Sequence, residues 1–318
     1  MKLLPTIIII MIICLIFSGC TSIIDYRQEM RTFVQNISKS AKEQNPDFII
    51  ITQNGIELIT EDGESTGNLA TSYIAAIDGV GQESLFYGYD NDNEKTPEDD
   101  TNYLISFLSL LKDENKKIMV TDYCWTRSYI DDSYEKNEQN GFISFAANHR
   151  ELDDVPIYPR DPYNLNNVSI DKLHDAKNFL YLINPHEVDT KEIFIQALQN
   201  TSYDVLISDL FFEDQLTEND VLSLKVKENG ANRLVFAYMS IGEAEDYRYY
   251  WKDEWNINRP VWLDEENPDW PGNFKVKYWN DEWQGIIYKN NDSYLNKIIN
   301  SGFDGVYLDI IDAYEYYE

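Results

Sequence analysis

Basic residues are scarce in this chain. Its 318 residues carry 26 Lys and Arg against 56 Asp and Glu, a formal charge of −30. A chain this acidic is a poor ligand for phosphate backbones, which argues against nucleic acid as a partner. It also offers no polybasic face to a lipid surface. Cysteine is nearly absent, with Cys14, Cys20 and Cys124 the whole complement. The first two lie at the N-terminus, so the body of the chain keeps only Cys124 and the fold is expected to stand without disulfides. Cys124, inside Val-Thr-Asp-Tyr-Cys-Trp, reads as a small buried residue and not as a nucleophile. The three histidines, His149, His174 and His186, have no close His or Cys neighbours, so a zinc site has no support. No G-x-G-x-x-G follows an apolar run and no D-x-D-x-D-G loop occurs, which leaves nucleotide and calcium sites without a motif. The sequence calls for no cofactor and no metal.

Apolar and aromatic residues are plentiful: 43% of the chain is hydrophobic, and there are 23 Tyr and 7 Trp. That excludes a disordered acidic chain and leaves aromatics to spare for a binding surface. The N-terminus has one charge, Lys2, before an apolar run from Ile7 to Phe17 and then Ser18-Gly19-Cys20. This is the pattern of a secretory signal. Its apolar run falls short of the ~20 residues that span a bilayer. Ser-Gly-Cys resembles a lipobox, so the expectation is a signal over 1–19, lipidation at Cys20, a helical spacer over 20–45 and a folded domain over 46–318. An uncleaved N-terminal helix or simple secretion is the alternative. Each reading puts the domain outside the cytoplasm, and the first two hold it to the membrane through the N-terminal anchor only.

Short apolar runs end repeatedly in polar or acidic residues: Phe48–Gly55, Ile74–Gly79, Lys117–Tyr123, Asn178–Asn184, Tyr203–Phe212, Arg233–Gly242, a weaker Phe274–Trp279, and Gly305–Asp309. Such runs mark strands buried on both faces, as in parallel sheets. Helical spacing appears between them at 101–116, 191–199, 217–227 and 293–301. The alternation predicts a single (β/α)8 TIM barrel, with an open doubly wound sheet as the other α/β option. Residues 124–176 and 246–290 read as two long insertions, the second rich in Trp.

In a parallel barrel, reactive groups collect at the C-terminal strand ends. There the runs deliver Asn54, Glu83, Asp122, Asp209, Glu243 with Glu245, and Asp309 with Asp312. One such carboxylate alone is usually a helix cap, but several around one mouth raise each other's proton affinity, which a general acid needs. Carboxylates with aromatic neighbours suit a glycosidase, whose chemistry takes one carboxylic acid and one carboxylate. They suit a hard-cation site less, because no ligand spacing is present. Trp125, Tyr238 and Trp279 are the candidates for stacking on sugar. Arg248 reads as a partner for a nearby carboxylate such as Glu245.

Two blocks, Tyr238-Met-Ser-Ile-Gly-Glu-Ala-Glu-Asp-Tyr-Arg248 and Gly302-Phe-Asp-Gly-Val-Tyr-Leu-Asp-Ile-Ile-Asp-Ala-Tyr314, resemble the signature blocks of glycoside hydrolase family 114. The chain from Pro46 onward is similar to that family's extracellular branch, once labelled "cysteinyl-tRNA synthetase related". Pro46–Gly55, Ile77–Glu83 and Asn267-Pro-Asp-Trp-Pro-Gly272 extend the match. No H-I-G-H or K-M-S-K-S block supports the synthetase label. The resemblance implies an endo-acting hydrolase of α-1,4-linked galactosamine polymers with Asp309 as a catalytic carboxylate. In the family, strands ending in Asn, then Glu, then an acid-Tyr pair follow the Asp block. Here Asn54, Glu83 and Asp122-Tyr123 reproduce that order at the front of the chain, the order of a circular permutation. The expectation is Asp309 as nucleophile and Glu83 as acid/base, with Asn54, Asp122, Asp209 and Glu243 binding an oligosaccharide or polysaccharide substrate. The rivals are a non-catalytic carbohydrate-binding surface lipoprotein and a structural lipoprotein on the same fold.

Overall fold

The computed structural model describes residues 24–185 and 188–318. The signal, Cys20 and His186 lie outside the described residues. Six parallel strands come first: β1 (Ile49–Gln53), β2 (Gly79–Glu83), β3 (Lys117–Tyr123), β4 (Ile143–Ala147), β5 (Phe179–Leu182) and β6 (Val205–Ser208). A small hairpin follows, β7 (Phe211–Phe212) with β8 (Asp214–Gln215), and then the barrel strand β9 (Leu234–Ser240). The strands β10 (Glu243–Glu245), β11 (Leu263–Glu266) and β12 (Asn273–Val276) form a separate antiparallel sheet, and β13 (Gly305–Asp309) completes the barrel. The eight barrel strands run in the order β4-β3-β2-β1-β13-β9-β6-β5, all parallel. The end strands β4 and β5 face each other through Phe145 and Phe179, whose rings are 5.9 Å apart. The sheet is thus nearly closed, and the fold is a single (β/α)8 TIM barrel.

The shell helices are α1 (Tyr26–Gln44), α2 (Thr71–Ala76), α3 (Glu98–Asp113), α4 (Arg127–Asn140), α5 (Lys191–Gln199), α6 (Glu218–Leu224), α7 (Asp281–Gln284) and α8 (Tyr294–Asn300). Their starts follow capping chemistry. The Asp25, Thr190 and Ser293 side chains each accept a backbone N–H of the first turn, and Thr217 with Asp220 forms a reciprocal capping box. Gly141, at φ 77°, ends α4. Helix α1 buries Met30, Phe33, Val34 and Ile37 in the core. It is part of the barrel wall beside α2 and α8, where a spacer would have stood off.

Three expectations change. Residues 74–76 belong to α2, and the second strand is the later run Gly-Val-Gly-Gln-Glu. Its glycines answer to packing: a Cβ on Gly81 would sit 1.7 Å from the Tyr307 hydroxyl, which fills the barrel interior. The stretch 124–176 is not one insertion, because it contains α4 and the barrel strand β4. The run at 274–279 contributes β12 to the side sheet, not to the barrel. The Trp-rich region is ordered, with Trp255 stacked edge-on to Trp251 and Trp262, and Trp262 against Trp283.

The segment 148–178 returns from the mouth to the base of the barrel with no α-helix of its own. Two lysines fasten it. Lys227 Nζ donates to the Asn166 and Val168 carbonyls at 2.9 Å each, and Lys117 Nζ to the Ala176 carbonyl at 2.7 Å.

Candidate active site

The register fixes which side chains enter the barrel. In β13, Tyr307 and Asp309 alternate inward, and they pair with Tyr238 and Ser240 of β9. On the other side Tyr307 pairs with Ile51 of β1, so Gln53 shares the inward face. Glu83 pairs with Thr121 of β3, and Tyr123 is the next inward residue. A cavity of about 280 Å³ lies over these strand ends, lined by Gln53, Asn54, Glu83, Tyr123, Asp209, Tyr238, Glu243, Arg248 and Asp309 among others.

Both members of the expected pair are at this cavity, half-buried and clamped by donors. Asp309 Oδ1 accepts from Gln53 Nε2 at 2.9 Å and from the Ile310 N–H at 2.8 Å, and its Oδ2 accepts from the Tyr238 hydroxyl at 2.8 Å. Glu83 Oε2 accepts from Asn54 Nδ2 at 2.7 Å, and its Oε1 accepts from the Tyr123 hydroxyl. The Asn54 side chain also receives the Glu83 backbone N–H at 3.0 Å. No cation touches either carboxyl among these contacts. Burial, and then the facing charge of Glu83, hold the Asp309 carboxyl well above the ordinary carboxylate range.

The backbone leaves three strand ends in left-handed conformations beside these groups: Asn54 (φ 57°), Ser84 (φ 55°) and Ile310 (φ 57°). For a β-branched residue such as Ile310 this is a costly geometry, of order 1–3 kcal/mol, kept only where packing over-determines it. It turns the Ile310 N–H back onto Asp309.

A second group of charges lines the same cavity. Arg248 binds Glu245 through Nε at 2.5 Å and Nη2 at 3.2 Å, and binds Asp209 through Nη1 at 2.6–2.8 Å. Burial alone would lower the Arg248 guanidinium, but Glu245, Tyr294 and Asp209 raise it well above its ordinary value. Burial raises the Asp209 carboxyl, against the pull of Arg248. Glu243 is fully buried, and its Oε1 accepts from Asn267 Nδ2 and the Tyr316 hydroxyl, both at 2.9 Å. Burial raises its proton affinity too. Asp312, at the rim, is pushed up to about 7 by burial and then by Glu315 and Glu83. Trp270 and Tyr247 line the opening and keep 43% and 63% of their surfaces exposed, available for stacking.

Of the residues read from the sequence, Asp309, Glu83, Asp209, Glu243, Asn54 and Tyr238 converge on this cavity. Asp122 does not. It points the other way along β3, fully buried, and accepts from the Phe86 and Tyr87 N–H groups, Ser133 Oγ and Asn137 Nδ2. It ties the β2 loop and α4 to the barrel. Trp125 is half-exposed and outside the lining. Trp279 packs in an aromatic cluster with Tyr26, Tyr278 and Tyr317. Gln53, Tyr123 and Glu245, which stand at the strand ends read from the sequence, line the same cavity, and Asn267, Trp270 and Tyr316 join them without having been singled out for it. Cys124 is buried and free, with its thiol pushed up by burial. Among the described residues, His149, Asp153 and Asp154 lie close enough together to hold an ion, and none of them lines the cavity.

Fold and site together define a TIM-barrel protein with a carboxyl pair at the mouth. Residues 183–318 match the model of glycoside-hydrolase family GH114, so this part of the chain is similar to that family. Asp209, Glu243, Arg248 and Asp309 fall inside the matched residues, and Glu83 and Asn54 precede them. The uncharacterized protein MJ1477 of Methanocaldococcus jannaschii is 39% identical over 182 residues, covering 55% of this chain and 49% of that one. An uncharacterized protein of Thermotoga maritima is 56% identical over 81 residues, 26% of this chain and 24% of its own. One of Deinococcus radiodurans is 39% identical over 121 residues, 38% and 37% respectively. The chain thus spans about half the length, or less, of the curated relatives it matches.

Proposed function

We propose that this chain is an endo-acting glycoside hydrolase that cleaves an amino-sugar polymer, α-1,4-linked galactosamine or a close analogue, with Asp309 and Glu83 as its carboxyl pair. The observation that carries the reading is the pair itself: two half-buried carboxyls on one cavity, each fixed by neutral donors and neither neutralised by a cation. A glycosidase needs this inventory, one group holding a proton for the leaving oxygen and one ionised toward the anomeric carbon. In this reading Asp309, held by three donors, acts in its ionised form as the nucleophile and Glu83 is the acid/base, so the raised proton affinity of Asp309 sets the lower pH limit of activity. The Tyr123 hydroxyl and the Asn54 amide keep Glu83 in place. The motif order of a circular permutation supports the pairing.

The substrate class follows from charge. Six carboxyls line the cavity, Glu83, Asp209, Glu243, Glu245, Asp309 and Asp312, against Arg150 and Arg248. An excess of negative charge in a walled cleft draws a cationic chain and repels an acidic one. The protein acts outside the cytoplasm in this reading, held to the membrane by lipid on Cys20. Among the described residues no helix is long and apolar enough to cross a membrane, and a Cys20→Ser change is expected to release the protein from the membrane fraction.

The deciding experiment is hydrolysis of a galactosamine oligomer by the protein, by Asp309→Asn and by Glu83→Gln. Loss in both with folding intact is expected. Loss in Asp309→Asn alone sends the acid role to Asp209 or Glu243. Binding without cleavage across a panel of sugars would instead establish a carbohydrate-binding module.

A further inference from the structure

The reaction cavity does not end at Glu83. A second chamber of about 290 Å³ lies on its far side, over the loops that follow β1 and β2. The two share Asn54, Glu83, Arg150 and Asp312 as walls, but Asp309 lines only the first. The shared cation is already committed: Arg150 donates to Asp92 at 2.8 Å and to the Gly88 carbonyl, and it stacks on the Tyr123 ring. The chamber's own wall carries Glu57 and Glu315. Two further features point to a ligand. Gln82 lines the chamber, is 5% exposed, and has a buried Oε1 with no hydrogen-bond partner, while its Nε2 is held by the Glu83 carbonyl at 3.0 Å. An acceptor orphaned in this way costs about 1–3 kcal/mol unless something donates to it. Tyr89, on the same wall, leaves 51% of its surface uncovered, a ring free to take a flat apolar face.

We propose that this second chamber is the subsite for the sugar on the leaving-group side of the cleaved bond, and that it takes an amino-sugar unit in its cationic form. The inference rests on the glycosidase reading above. A general acid touches the leaving oxygen, so a chamber that shares Glu83 but not Asp309 holds the departing chain. Tyr89 is the platform for that sugar, Gln82 Oε1 accepts one of its N–H or O–H groups, and Glu57 and Glu315 face its ammonium. The substrate then lies across the barrel mouth with the carboxyl pair between two sugar sites, so internal bonds are cut and chain ends are not preferred.

The test uses Tyr89→Ala and Glu315→Gln, both at exposed positions outside the carboxyl pair. Each is assayed on a galactosamine hexamer and on a nitrophenyl galactosamine dimer, whose small leaving group has no sugar to place in the chamber. The expected result is that the ratio of kcat/KM on the hexamer to kcat/KM on the nitrophenyl dimer falls about tenfold in each variant. The hexamer's products should also shift away from mid-chain cleavage. An unchanged ratio with an unchanged product pattern overturns the subsite and leaves the glycosidase reading standing. No hydrolysis of either compound by the unaltered protein overturns that reading, and the subsite with it.

Discussion

The two ends of the barrel treat acidic residues in opposite ways. At the base, Asp78, Asp204 and Asp304 each stand one residue before a barrel strand. Each accepts a backbone N–H from a neighbouring chain segment: Ile50 at 2.9 Å, Lys177 at 2.7 Å and Val235 at 2.9 Å. Each also binds a lysine: Lys42 at 2.9 Å, Lys227 at 2.5 Å and Lys225 at 2.7 Å. At the mouth, Asp309, Glu83 and Glu243 meet tyrosine hydroxyls and amide groups and no cation. Among these six acids the same side-chain type is neutralised where it staples strands together and left without a cation where a ligand can enter, while Asp209 and Glu245 on the far wall of the mouth are held by Arg248. Stability sits at one end of the fold and stored electrostatic energy at the other, and variants at the two ends should separate them.

The largest effect is expected at the mouth. Asp309→Asn and Glu83→Gln should each lower kcat by about 10³-fold or more, the scale of losing an acid or base from the reaction. Because each removes a facing like charge, thermal unfolding at neutral pH should give a Tm no lower than that of the unaltered protein. A large fall in Tm would show that the mouth acids hold the fold together, which would erase the contrast. Next comes the base. The Lys227 and Asp204 side chains are completely buried, so Lys227→Ala leaves an uncompensated carboxylate and frees the 148–178 segment. A loss of about 3–5 kcal/mol is expected in denaturant unfolding. Adding Asp204→Asn to Lys227→Met should recover much of it.

How much of this was legible beforehand follows from what each residue reports. Strands β3 and β13 were readable because continuous apolar runs end abruptly in Asp-Tyr and Asp, and α5 because its apolar spacing is regular. Strand β2 was not, since room for Tyr307 makes its sequence glycine-rich, and the neighbouring Ile74-Ala-Ala-Ile looked the better strand. Strand β4 was lost behind α4, whose mostly polar sequence shows little period. In the site, a strand-end rule found Asp309 and Glu83 but also admitted Asp122, because it ignores which face a residue occupies. Asp122 and Tyr123 are adjacent, and alternation sends the first to Ser133 and Asn137 and the second to Glu83. Arg248 was read against a carboxylate near it in the chain, Glu245 or Asp246, and its hold on Asp209 depends on a contact between residues far apart in the chain.

A smaller effect lies in the pH dependence. Asp312 is pushed up to about 7 in the fold, against 3.8 in the open chain. A carboxyl that binds its proton more tightly when folded stabilises the fold fully below the unfolded value, and that contribution is lost as pH rises through the folded one. The unaltered protein should therefore lose stability between about pH 4 and 7 through this residue. Asp312→Asn should flatten that part of the profile and raise Tm at pH 8 by about 2–4 °C. A base-end variant such as Lys225→Ala should leave the slope in this window unchanged.

The smallest effect tests the base-end motif within itself. Its three lysines make the same contact at different depths. Lys42 and Asp78 keep 30% and 35% of their side-chain surface exposed, Lys225 and Asp304 keep 26% and 23%, and Lys227 and Asp204 keep none. If the lysine acts by compensating a desolvated charge, the cost of removing it must rise with burial. Water can replace Lys42 at Asp78, which still accepts the Ile50 N–H. Lys42→Ala should thus cost only about 0.2–1 kcal/mol, fading with added salt, as exposed pairs do. Lys225→Ala should fall between it and Lys227→Ala. Equal costs at the three positions would mean that the aspartates staple the strands through their backbone contacts alone, and that burial of the pair adds nothing to what the lysines contribute.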